Sequence, residues 1–249
     1  LTGLSQHVGN WPGKTVEQKV GECQLGEQHL QIVDLPGTYS LTASSAEEQV
    51  TRDYILREQP DVVVAVVNAA NLERTLYLVT ELLELPAPLV VGLNMLDVAE
   101  GNGLQIEANV LQAALGVPTV PMVAAHGEGL DALLEAVRQM LCGEFAYAPV
   151  QPDLGADIET LIAQVEGLIG DNAPPPYPRR WLGLKLLEGD REITAIVRDH
   201  VDAERWAEIQ ALLRNNEDAV VTIASARYEW IGRMVRAAVT RPRASMVSL

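Results

Sequence analysis

The chain has 249 residues, 48% of them hydrophobic and 21% charged, and a formal net charge of −16. That length holds one large domain or two modest ones, with enough apolar material for a packed core. The acidity argues against a nucleic-acid partner, which needs a basic face, and against docking on an anionic membrane by charge alone. Cys23 and Cys142 stand far apart and the four histidines are scattered, so reduced thiols are expected and a His/Cys metal site has little support. No charged-then-apolar leader opens the sequence, and no apolar run reaches the ~20 residues that span a bilayer, so it reads as a soluble polypeptide.

Taken in order, residues 15–24 and 28–33 predict a hairpin turned at Gly26. Residues 61–68 are Val-rich on both faces, as in a central parallel strand. Asn71 can cap the next helix, where Leu72, Leu76, Val79 and Leu83 recur at helical spacing. A buried strand follows at 88–94, then a short helix over 106–115 stopped by Gly116. The last strand is expected at 119–124, and after it a helix carrying Leu130, Leu133, Leu134, Val137 and Leu141 on one side. Strands alternating with helices predict an α/β fold with a doubly wound sheet.

From about Asp153 only helical periodicity remains, beginning with Ile158, Leu161, Ile162 and Val165. The Asn172-Ala173-Pro174-Pro175-Pro176-Tyr177-Pro178 stretch reads as a stiff connector. Helices are expected after it over 181–187, 192–197, 203–213 and 217–239. The chain thus divides into an α/β domain, 1–150, and a smaller all-α domain, 151–249.

Two fragments carry the chemistry. Asp34-Leu35-Pro36-Gly37 closes one apolar strand and Asn94-Met95-Leu96-Asp97 closes another. Open α/β sheets place ligands at such carboxyl strand ends. Asp34 suits a water of a Mg²⁺ shell, because Mg²⁺ keeps several waters and takes few direct carboxylates. Gly37 lets a backbone N–H approach a γ-phosphate closely. The plain alternative for this fragment is a tight turn, for which Asp, Pro and Gly are common. Asp97 offers two oxygens to the paired N–H donors of guanine, and Asn94 would brace the loop and touch the base; capping residues in a strand-to-helix turn are the plain alternative. Both fragments at strand ends, in this order, read as a GTP-binding switch protein.

Upstream, residues 8–15 tempt reading as a phosphate loop. A Walker loop needs four residues between its first glycine and Gly-Lys, and only three separate Gly9 from Gly13. Thr15 fits better as the switch threonine whose hydroxyl completes the Mg²⁺ shell. Trp11 is either an anchor or part of a nucleotide-sensing loop.

Residues 1–19, 34–41, 68–78 and 94–97 resemble the ferrous iron transport protein B (FeoB) family. Residues 177–189 and 223–231, with Ala226-Arg227-Tyr228, resemble its helical domain. The resemblance implies a P-loop GTPase-type mixed sheet followed by the helical domain, with GTP or GDP and Mg²⁺ as cofactors. It implies a slow GTPase module that regulates Fe²⁺ import from the cytoplasmic face of the inner membrane. Its partner would be the membrane transport domain of the same full-length protein, and a second copy of the chain is a further candidate. The helical domain is expected to favour GDP retention and relay nucleotide state. A K⁺ held partly by the carbonyls of Gly9 and Trp11 would also follow, and Ala124-Ala125 falls where the family's second base-contacting loop lies. Family members carry a strand and a Gly-x-x-x-x-Gly-Lys-Ser/Thr loop before the position of Leu1, so an N-terminally truncated sequence is expected. Lys14 replaces the small apolar residue more usual in the family. Many switch GTPases orient water with a glutamine after the glycine; Thr38 stands there, so hydrolysis would rest on Mg²⁺, backbone groups and Thr15. Another switch GTPase, or a non-hydrolysing interaction module, are the alternatives.

Overall fold

The computed structural model describes residues 6–11, 17–26, 28–42 and 45–241. Three antiparallel strands come first, β1 (Gln6–Asn10), β2 (Glu17–Leu25) and β3 (Gln28–Asp34), in that spatial order. β2 and β3 form the expected hairpin, with Leu25 opposite Gln28 and Lys19 opposite Asp34. Gly26 turns it at φ +59°, a left-handed conformation that glycine adopts without a Cβ clash. β1 is not predicted by the sequence. It lacks an apolar alternation and is a strand by its backbone ladder to β2, Gln6 opposite Gly21 through Asn10 opposite Glu17.

α1 (Ala46–Glu58), also without a sequence signal, leads to a parallel sheet of β4 (Val63–Asn68), β5 (Leu89–Asn94) and β7 (Thr119–Pro121). Val63 lies opposite Leu89, Asn68 opposite Asn94 and Val91 opposite Thr119, so the strand ends that carry the motifs are level. β7 is shorter than expected and gives way to a 3₁₀ turn at Ala124–His126; Pro121 cannot donate to a ladder. β4 pairs with β5 on one side only. Its other edge meets no strand among the described residues, and burial alternates along it, with Val64 and Val66 39% and 62% exposed on one face of the sheet. β3 and β4 lie in separate sheets.

Between the parallel strands run α2 (Leu72–Leu82), α3 (Leu96–Gly101) and α4 (Ala108–Leu115), and α5 (Leu130–Leu141) follows β7. α2 buries Leu72, Leu76 and Val79, with Leu83 just past its end, as their spacing predicts. Asn71 occupies the cap position but makes no side-chain cap bond. The Asn68 side chain instead accepts from Ala70 N–H at 2.9 Å and forms a 3₁₀ turn ahead of the helix. The helix expected over 106–115 starts at Ala108, because residues 105 and 106 form β6 (Gln105–Ile106).

The remainder is helical: α6 (Ala156–Ile169), α7 (Arg179–Leu187), α8 (Arg191–His200), α9 (Ala203–Asn215) and α10 (Ala219–Ala238), ending in β8 (Val239–Thr240). Every residue of α7 from Trp181 to Leu187 is buried, which makes it the central helix of this part. Asp190 and Asp202 cap α8 and α9, each accepting from a first-turn N–H. Packing does not stop between the α/β and helical parts. Trp181, Leu182, Trp230 and Ile231 share one core cluster with Leu41, Leu56, Leu76 and Leu93, and α10 lies on α2 and α4. β8 then pairs antiparallel with β6. No helix among the described residues is long and apolar enough to cross a membrane.

Candidate functional site

The motif residues lie at the carboxyl ends of β3, β5 and β7, and the structure joins those of β5 and β7. Asn94 closes β5, and its side-chain oxygen accepts the Ala124 N–H at 2.9 Å, which fastens the loop after β7 to the loop after β5. Met95 follows at φ 65°, an unusual setting for a residue with a Cβ. That left-handed step starts α3 and puts Asp97, exposed, in its first turn. Asp97 lines a cleft of about 380 Å³ with Leu96, Glu100, Met122, His126 and Glu128.

The facing wall is a compact loop. Val123 and Glu128 bridge antiparallel, and Gly127 and Gly129 take φ +76° and +81°. A Cβ on Gly129 would lie 2.3 Å from the Pro121 carbonyl oxygen, so this position admits only glycine without backbone movement. Ala124 and Ala125 are exposed at the tip, beside the cleft. His126 and Glu128 also line it, their side chains 4.0 Å apart. Neither is singled out by the sequence; their only signal is a position flanking Gly127 just after the last strand.

Asp34 ends β3 exposed, and no cation pairs with it among the described residues. The next turn is held from α1, where the Thr51 hydroxyl donates to the Pro36 carbonyl at 3.2 Å. Gly37 is exposed, and a Cβ built there meets nothing within 4 Å. Internal packing therefore does not require a glycine at this position. The Thr38 hydroxyl donates to Ser40 O at 2.6 Å and accepts Ser40 N–H at 3.2 Å. Bound to its own backbone in this way, Thr38 has no free donor with which to orient a water.

Gly9 is exposed on β1. Trp11 is 8% exposed and meets the edge of the Tyr54 ring with centroids 5.3 Å apart, which is the anchor reading of this residue. Thr15, like Lys14, lies outside the described residues. No cluster of three His, Cys, Asp or Glu suited to a metal occurs among the described residues. A single carboxylate such as Asp34 fits Mg²⁺, which carries its own waters and uses phosphate oxygens as its other ligands.

Residues 1–137 match the family model described as ferrous iron transport protein B, and residues 155–240 match that of the FeoB cytosolic helical domain. The chain belongs to the FeoB family. The Fe(2+) transporter FeoB of Escherichia coli K12 is 41% identical over 93% of the chain. The chain spans about 30% of that relative's length. The cytosolic domain of L. pneumophila FeoB superposes with a TM-score of 0.83 at 32% identity, covering 96% of this chain and 92% of that one. A point mutant of S. thermophilus NFeoB bound to GDP gives 0.85 at 34% identity, with the same coverage. The fold is thus a FeoB G domain carrying the FeoB helical domain.

Proposed function

We propose that this chain is the guanine-nucleotide module of a FeoB-type Fe²⁺ transporter, a slow GTPase whose nucleotide state regulates the transport region. The module would work at the cytoplasmic face of the membrane that holds that region, with residues 1–150 binding nucleotide and 151–249 forming the helical unit. The observation that carries the base assignment is the Asn94 to Ala124 hydrogen bond, which ties together the two loops whose neighbouring residues, Asp97 among them, line the cleft. An S. thermophilus relative of the same fold holds GDP.

In this reading the Asp97 carboxylate accepts the two N–H donors on guanine's Watson–Crick edge, while Asn94, Met95, Ala124 and Ala125 shape the surrounding pocket. Adenine presents one donor beside an acceptor there, so it would leave a carboxylate oxygen facing a lone pair, at about 1–3 kcal/mol. The Gly37 backbone N–H would donate to the γ-phosphate, and Asp34 and Thr15 would hold Mg²⁺. Mg²⁺ supplies neutralisation of phosphate charge. With its hydroxyl donating to Ser40 O, Thr38 offers no donor to a water, which supports the reading of slow turnover without a stimulator. The carbonyls of Gly9 and Trp11 are assigned to a K⁺.

The test is calorimetric titration with GDP, ADP and XDP, on the chain and on a version extended upstream of Leu1, each with and without Asp97→Asn. GDP should bind and ADP should not. Asp97→Asn should lose about 10–100-fold in GDP affinity and gain XDP, whose C2 carbonyl accepts from the new amide. An unchanged GDP preference in Asp97→Asn refutes the base assignment, and no nucleotide binding in either version refutes the function.

A further inference from the structure

The segment that carries Gly37 leaves β3 at Asp34 and runs without regular structure through residue 42. Its far end is fixed at Leu41, whose side chain is fully buried in the core. The Leu41 N–H donates at 2.6 Å to one carboxylate oxygen of Glu81, on the last turn of α2. Glu81 is itself buried, 1% exposed. Its other oxygen accepts from the Lys185 ammonium of α7 at 2.7 Å. Lys185 also donates to Glu188 at 2.7 Å, and Glu188 accepts from Arg227 of α10. Two acids and two bases thus close a charge-balanced buried cluster across three helices, with the Tyr77 hydroxyl 3.5 Å from Arg227.

We propose that Glu81 is a positioning residue for the Gly37-bearing segment, aimed by Lys185 from the helical part. The proposal rests on Gly37 as the γ-phosphate contact. A buried carboxylate that must satisfy a backbone N–H and an ammonium at once has little freedom, because moving toward one leaves the other a buried donor short of an acceptor. The Leu41 end of the segment is therefore stationary, four residues from Gly37. The Pro36 carbonyl is held on its other side by Thr51. Gly37 is left as an exposed span between two fixed posts. If Glu81 served packing alone, its loss would weaken every nucleotide state alike. A positioning role falls selectively on a ligand that reaches Gly37, and GDP, lacking the γ-phosphate, does not.

The test compares GDP with a non-hydrolysable GTP analogue, and follows hydrogen exchange of residues 38–42, in wild type and two variants. Glu81→Met with Lys185→Met removes one charge of each sign, so the cluster stays balanced. It should bind GDP within about twofold of wild type, lose about tenfold in affinity for the analogue, and speed exchange at 38–42 by about tenfold or more, the scale of one charge-assisted hydrogen bond. Glu81→Gln leaves one acceptor oxygen to serve both Leu41 N–H and the Lys185 ammonium, so it should lose about threefold in analogue affinity and speed exchange at 38–42 by a similar factor, with GDP affinity unchanged. The proposal is overturned by equal losses for GDP and analogue, by no loss, or by Glu81→Gln being as damaging as the double variant. It also falls if the double variant does not fold and Glu81→Gln leaves exchange at 38–42 as in wild type. Wild type binding neither nucleotide, as the chain and as the version extended upstream of Leu1, would overturn the nucleotide reading and this role with it, and is seen before any variant is made.

Discussion

Arg52 supplies the sharpest stability prediction. It sits on α1 with its side chain fully buried, donating to Asp190 at 3.0 Å and to Glu192 at 2.5 Å across the boundary with the helical part. Replacing it with Met keeps most of the apolar stem but leaves Asp190, 2% exposed, as an unpaired charge. Removing one partner of a buried pair costs about 3–5 kcal/mol. The low end applies, because Asp190 still accepts Glu192 N–H and Ile193 N–H at 3.0 Å in the positive field of the α8 N-terminus. Glu192 is 37% exposed and recovers water. Arg52→Met should therefore cost about 3 kcal/mol, out of a typical ~5–15. At about 2–4 °C per kcal/mol for a chain of this size, Tm falls by ~6–12 °C. Urea unfolding at constant m is the assay. Adding Asp190→Asn, which preserves the cap, should return about half the loss or more, because it removes the orphaned charge. A loss under about 1 kcal/mol, or no recovery in the double variant, refutes the argument.

Four further outcomes are expected. Burial pushes the Glu188 carboxyl up, but Lys185 and Arg227 together outweigh it and hold it below the ordinary 4.5; burial lowers Lys185, and Glu81 with Glu188 outweighs that and raises it above 10.5. Stability from the cluster is thus present between those values, lost as pH falls through the depressed carboxyl and lost as pH rises through the raised ammonium; thermal unfolding in the Glu81→Met, Lys185→Met variant should show both edges blunted. Glu84 behaves oppositely. Burial raises it despite Arg180 and Arg227, so its ionisation destabilises the fold as pH rises past 4.5, and Glu84→Gln should raise Tm at pH 7 but not at pH 4. Gly129→Ala forces a Cβ against Pro121 and should lower guanine-nucleotide affinity by displacing the Ala124 loop, read by titration against wild type. Val66→Ser, on the exposed face of β4, should shift the urea midpoint of this 249-residue chain by less than about 0.5 kcal/mol equivalent.

The parts legible in sequence are those where one local rule governs. The apolar runs of β4 and β5, the helical spacing of Leu72, Leu76 and Val79, and the polar fragments at strand ends are all readable. α1 escapes because its buried face mixes Thr51 and Arg52 with Val50, Ile55 and Leu56, which cancels the apolar period. It also ends on Gln59 in a left-handed conformation where a glycine would have signalled the stop. Ala124 acts through its backbone N–H, which a reading of side chains does not register. Glu81 is invisible for a different reason. Its partners Leu41 and Lys185 lie 40 and 104 residues away, and only the packing of α2 against the helical part brings them to one carboxylate.

The short β6–β8 ribbon constrains how the two parts can move. The chain crosses from the α/β part to the helices once, through residues 142–155, and the end of α10 crosses back where Val239 and Thr240 meet Ile106 and Gln105. The outgoing crossing is itself stitched down, with Val150 N–H donating to Leu115 O and the Tyr147 hydroxyl accepting Leu89 N–H. A body tethered at two points keeps one easy motion, rotation about the line joining its tethers. Any rearrangement that leaves the ribbon intact is therefore a turn of the helical bundle about that line, felt first where α10 lies on α2 and α4.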